Sequence, residues 1–171
     1  SQPIVFEVER ARDGRSFSSR RVTALQRDKP ILVSSMSFQQ PSSGDDYQPR
    51  MPLVPPPESL PNERQLHLEA GRLDESFMIT TGEDLDIRVV EPIDWANPVP
   101  REPVLQAWMK TTGPVPATPG LHQALLAYLS DAFLLDVCLI TSGRSFNDSR
   151  WQVASLDHGL WFHEDFRVDD W

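Results

Sequence analysis

The chain has 171 residues, 39% of them hydrophobic and 24% charged, with a formal net charge of −9 at pH 7. That balance excludes a disordered chain, and the acidic excess argues against a nucleic-acid partner, because phosphate contacts need a basic surface. The length suits one domain of ordinary size with a sizeable core.

Residues 4–38 predict a three-stranded antiparallel meander: IVFEVERA, SFSSRRVTALQ and ILVSSMSF, with turns at Asp13-Gly14 and at RDKP. Asp-Gly between two strand-prone runs signals a hairpin because glycine tolerates the positive φ of a tight turn. Arg10, Arg12, Arg15, Arg20 and Arg21 crowd into the first hairpin. Such a cluster either meets a phosphorylated small molecule or is a solvated face. The opening SQPIVFEVER lacks the basic and apolar regions of a secretory signal.

From Pro41 to Pro61 the text becomes PSSGDDYQPRMPLVPPPESLP. Repeated prolines remove backbone donors and fix φ, which predicts an extended connector; Pro52-x-x-Pro55 also has the spacing of a polyproline II ligand. Asn62 caps a short helix reaching Leu73, and LDIRVVE (85–91) and PVLQAWMK (103–110) read as strands. Thr118-Pro119 then starts a long helix, in which LHQALLAYLSDAFLL (121–135) is apolar on nearly every face. A polar loop, SGRSFNDS, leads to a last strand, WQVASLDHGLWFH. A helix apolar all round needs a sheet curled about it, so the expected fold is an α+β hotdog, an antiparallel sheet wrapped around a long central helix. No apolar run approaches the length of a membrane span. Cys138 is the only cysteine, which excludes an internal disulfide; its apolar neighbours predict a packed thiol and a reducing compartment.

Asp131 sits in the middle of this apolar helix. Helical spacing surrounds it with Ala124, Ala127, Tyr128, Leu134, Leu135 and Cys138. A buried carboxylate must be hydrogen-bonded, neutral with a raised pKa, or directed into a wet cleft. A helix that ends or bends at Ser130-Asp131 would instead let the side chain meet solvent. The last strand adds Ser155, Asp157, His158 and His163. Neighbours on a strand point to opposite faces, so Asp157 and His158 are not expected to pair. No G-x-S-x-G elbow accompanies Ser155. His67, His122, His158 and His163 have no metal-ligand spacing, and there is no glycine-rich phosphate loop. Neither metal nor cofactor is expected.

Taken together, RDGRSFSSRRVTALQRDKPILVSSMSFQ (12–39), the MPLVPPPESLP linker, LHQALLAYLSDAFLL and VASLDHGLWFHEDFRVDDW resemble the acyl-CoA thioesterase II family. The resemblance implies two hotdog repeats, with residues 1–40 as strands of the first, 41–61 as linker and 62–171 as the N-terminal part of the second. It implies hydrolysis of acyl-CoA to CoA and a carboxylic acid. Tyr128, Ser130 and Asp131 stand in the family's Y-x-S-D helix motif, and Ser155 takes the Thr/Ser place before [LI]-D-H. The catalytic expectation is therefore Asp131 with Ser155. The family's third member, a glutamine, is expected beyond Trp171, and the chain is expected to begin inside the first repeat. Two other readings keep the fold: a non-catalytic module binding acyl-CoA or a protein, and a hydratase or dehydratase acting on acyl thioesters. A homo-oligomer is expected, placed in the cytoplasm, or in the peroxisome of a eukaryote.

Overall fold

The computed structural model describes residues 2–71, 82–146 and 148–171. They fall into two compact units, residues 1–51 and 52–171.

The first unit is an antiparallel meander of β1 (Val5–Asp13), β2 (Phe17–Gln26) and β3 (Lys29–Gln39), in the order β1-β2-β3. The register pairs Phe6 with Ala24 and Ala24 with Leu32, and Val8 with Val22. Because alternate residues share a face, Phe6, Val8, Val22, Ala24, Leu32, Met36 and Phe38 line one side. The other carries Glu7, Glu9, Arg21, Thr23 and Ser35. Both hairpins form where the sequence predicts, but with exchanged chemistry. Positive φ occurs at Arg27 (53°) and Asp28 (59°), the two-residue turn between β2 and β3. At the first turn Gly14 is required for a different reason: a Cβ there would lie 2.7 Å from the Phe17 carbonyl oxygen, which accepts the Gly14 N–H at 3.0 Å. Of the clustered arginines, Arg20 is already committed to Asp13 and to the carbonyls of Arg12 and Ser19.

In the second unit Pro57–Ser59 form a 3-10 turn, followed by α1 (Glu63–Glu69). The predicted cap holds, with Asn62 Oδ1 accepting the Gln65 N–H at 3.3 Å. The helix stops before the expected Leu73, which lies outside the described residues; Gly71 already has a φ of 66°. Asn62 also donates to Asp86 Oδ1 at 2.6 Å, tying the start of α1 to β4 (Leu85–Val89). Strand β4 pairs antiparallel with β5 (Ala107–Thr111), from Leu85 opposite Thr111 to Val89 opposite Ala107. Residues 103–106, expected in the second strand, precede it. Part of the proline-rich connector packs here: Trp108 Nε1 donates to Pro55 O at 3.0 Å and Arg88 Nη1 to Pro57 O at 2.8 Å.

The long helix is two helices, α2 (Pro119–Leu129) and α3 (Leu134–Ile140). Thr118 occupies the N-cap position with proline following, without a side-chain capping bond. The break has a local cause. Ser130 Oγ turns back to Ala127 O at 2.9 Å, and Phe133 leaves helical geometry with φ −124° and ψ 6°. Residues 119–140 nevertheless make a stretch long and apolar enough to cross a membrane by length and composition, contrary to the expectation that no run comes near it; the core helix of a soluble protein passes the same test. Trp95, Leu139 and Ile140 form a buried cluster with Ile93 against it. Residues 151–163, predicted as a strand, form neither helix nor strand. A strand is held by a neighbouring ladder, and no described strand pairs with this segment.

Candidate active site

Asp131 lies in the four-residue turn between α2 and α3, the point where the apolar helical pattern is interrupted. Its side chain is 55% exposed, so the expected burial in an apolar stripe is corrected: the stripe itself faces outward, with Ala124, Ala127, Tyr128, Leu134 and Cys138 exposed as well. The aspartate that the helix does bury is Asp136, five residues on and 8% exposed. The sequence reading passed over Asp136, although it too lies in an apolar run, LLDVCLI. His122, Leu129 and Asp136, seven residues apart in turn, are all buried, so one side faces inward through the break; with apolar residues on nearly every face, spacing alone does not tell which side that is. Cys138 is likewise exposed rather than packed.

Burial has a measurable consequence at Asp136. Loss of solvent, with the Glu63 carboxyl adding like charge, raises its pKa from 3.8 to about 6. Glu63 itself is pushed upward by burial, against the pull of His67, whose Nε2 is 3.3 Å from Glu63 Oε1. His122, one of the four histidines without metal-ligand spacing, is buried and accepts the Val168 N–H at Nδ1 (3.2 Å), linking α2 to the segment after residue 163. None of these groups meets Asp131 in a described contact.

What does meet Asp131 comes from the irregular segment 151–163. Ser155 Oγ donates to Asp131 Oδ1 at 3.1 Å across 24 residues of sequence. His158 Nδ1 stands 3.9 Å from the same oxygen, and His158 Nε2 is 3.2 Å from Ser130 Oγ. Asp131 and Ser155, the two candidates from the sequence, are thus brought together. His158, a polar candidate of the expected last strand, was not assigned to Asp131; without strand alternation it folds back onto the helix break. Its signal was its place in the serine motif, three residues after Ser155. Tyr128 lies on the exposed side of α2, and His163 is exposed. Among the described residues no group of three or more His, Cys, Asp or Glu could hold a metal ion.

A hydroxyl donating to a carboxylate beside an imidazole is suited to handling a proton from water, and its setting has relatives. The profile described as acyl-CoA thioesterase matches residues 97–171, and that of the acyl-CoA thioesterase N-terminal domain matches residues 1–39. Acyl-CoA thioesterase 2 of Haemophilus influenzae is 30% identical over 99% of the chain and 60% of its own length. The acyl-CoA thioesterase II TesB2 of Mycobacterium marinum superposes with a TM-score of 0.74 at 38% identity, over 98% of this chain and 58% of that one. The chain belongs to the acyl-CoA thioesterase II family.

The family's hotdog architecture is also met in an Alicyclobacillus acidocaldarius protein with a hot dog fold, 20% identical with a TM-score of 0.59 over 82% of this chain and 47% of that one. The expected α+β hotdog class stands, with its long helix broken at the turn that carries Asp131. The chain spans somewhat more than half the length of the family members it matches.

Proposed function

We propose that the protein hydrolyses acyl-CoA thioesters, with Asp131 activating the attacking water and Ser155 holding the aspartate. The observation that carries the reading is the Ser155 to Asp131 hydrogen bond at 3.1 Å, which joins two separate family motifs at one point. Ser155 occupies Oδ1 and sets the carboxylate plane. Oδ2 then takes a proton from water as the water oxygen bonds to the thioester carbonyl carbon. The resulting oxyanion collapses, the carbon–sulfur bond breaks, and the CoA thiolate leaves and is protonated. General-base assistance of this kind is worth on the order of 10²- to 10⁴-fold. No acyl-enzyme is needed, so Ser155 acts as a donor and not as a nucleophile.

The test is release of free thiol from a panel of acyl-CoAs by the full-length protein. Asp131→Asn should lower kcat by about a hundredfold or more; a variant that turns over at the parent rate removes Asp131 from the mechanism. The half-exposed carboxylate favours a second reading, a module that binds acyl-CoA without cleaving it. Saturable binding with no thiol release from any acyl-CoA would select that reading.

Several properties are proposed with this function. The helix pair over residues 119–140 is read as a core element and not a membrane span, since Ser130, Asp131 and Asp136 interrupt it. Self-association is proposed from the apolar face of the meander. The compartment is proposed to be the cytoplasm, or the peroxisome in a eukaryote, on the evidence of a single cysteine.

A further inference from the structure

We infer that His158 is a positioning residue for the proposed hydrolysis, holding Asp131 through its Nδ1–H so that, with Ser155, it confines one carboxylate oxygen and leaves the other to the water. The inference rests on the thioesterase reading and gives a role to the histidine of the [LI]-D-H motif, to which neither the motif assignment nor the family comparison assigns one.

The argument starts from hydrogens. Ser130 has one hydroxyl hydrogen, and two acceptors compete for it: Ala127 O at 2.9 Å and His158 Nε2 at 3.2 Å. If the hydrogen goes to Ala127 O, Nε2 must donate to Ser130 Oγ; if it goes to Nε2, that nitrogen accepts. The carboxylate decides what the other nitrogen carries. Nδ1 lies 3.9 Å from Asp131 Oδ1, and a neutral ring with its hydrogen on Nε2 would aim the Nδ1 lone pair at a negative oxygen. Both remaining states, the Nδ1–H tautomer and the imidazolium, direct an N–H at Asp131 instead. The carboxylate therefore selects a ring with hydrogen on Nδ1.

At 3.9 Å the contact is longer than a direct hydrogen bond, so it acts by charge attraction or through one bridging water. Ser155 approaches the same Oδ1 at 3.1 Å. Among the described residues no contact engages Oδ2. The ring is anchored to the helix end through Ser130, and its side chain is only 29% exposed against 55% for Asp131. A partly sheltered ring pinned at one nitrogen can hold a freer carboxylate with the other. Misplacing a reacting group by about 1 Å costs on the order of a hundredfold, which sets the scale of what orientation is worth.

The two ring nitrogens can be replaced one at a time. Asparagine places its amide near Nδ1 and glutamine places its amide near Nε2, so His158→Asn preserves the reach to Asp131 and His158→Gln the reach to Ser130. In the full-length protein, with acyl-CoA turnover followed by thiol release, His158→Ala should lose about tenfold to a hundredfold in kcat while KM stays within about twofold. His158→Asn should recover most of that kcat, and His158→Gln should not. Glutamine recovering as well as asparagine, or better, overturns the inference, because His158 would then be a tether to Ser130 or a filler of space. An unchanged kcat in His158→Ala overturns it too. Should the alanine variant fail to fold, the comparison between the asparagine and glutamine variants still decides. Parent protein and Asp131→Asn assayed alongside separate the two levels: no thiol release from the parent sinks the hydrolysis reading, and parent-rate turnover in Asp131→Asn sinks the role of Asp131 on which this inference rests, whereas loss of turnover there combined with an indifferent His158 sinks only the present inference.

Discussion

Ser155 and Asp131 are 24 residues apart, and the 3.1 Å contact between them has a defined chemical direction: an O–H donates and a carboxylate accepts. Ser155→Ala removes that donor and leaves the carboxylate free to rotate. On a group exposed as Asp131 is, one such bond contributes modestly to stability but more to orientation. Turnover by Ser155→Ala should fall about tenfold while its thermal midpoint stays near the parent value, and Ser155→Thr, which keeps the hydroxyl, should remain close to the parent. A covalent route through Ser155 would instead abolish turnover in Ser155→Ala and show burst release of thiol in the parent, which this mechanism excludes. At this scale the motifs were readable. Asp131 and Ser155 are short, distinctive signals, whereas the meeting of His158 with Ser130 and Asp131 depends on a chain path that no local pattern records.

Among the elements, α3 carries the least expected property. Asp136 is buried on it beside Glu63, and its pKa is about 6 against 3.8 in the unfolded chain. A carboxyl whose folded pKa is raised favours the folded state while it stays protonated. Its stabilising share is therefore complete below pH 3.8 and is lost as pH rises through about 6. The shift corresponds to about 3 kcal/mol as an order of magnitude. Asp136→Asn, which carries no charge at any pH, should raise stability at pH 7.5 by about 2 kcal/mol and flatten the dependence between pH 4 and 6; chemical denaturation at several pH values measures both. An equal or lower midpoint at pH 7.5 would contradict the burial of an ionised group there. Element boundaries followed local chemistry where a side chain or proline marked them, as at Asn62 and Thr118-Pro119. They failed where pairing was needed: residues 151–163 have the composition of a strand but no described ladder to hold them.

For the molecule as a whole, exposed apolar surface is the dominant feature. Phe6, Val8, Leu32 and Phe38 share one face of the meander and are each at least half exposed. Such a face is larger than isolated surface apolar residues normally make, and association removes it from water. The 171-residue polypeptide by itself should sediment as dimers or larger species at micromolar concentration and bind a hydrophobic dye, and Phe6→Asp with Phe38→Lys should reduce both. A dye-silent monomer in sedimentation velocity would remove the proposal of self-association.

By itself the sequence determined the meander, the starts of α1 and α2, the family and the two motif residues proposed for chemistry, because these depend on backbone preferences and on short side-chain patterns. Only the tertiary structure decided which aspartate is hidden and which is half open. Burial depends on what lies across from a residue, and here the side of His122, Leu129 and Asp136 faces inward while that of Tyr128, Asp131 and Cys138 faces out, leaving Asp136 inside and Asp131 facing Ser155 and His158.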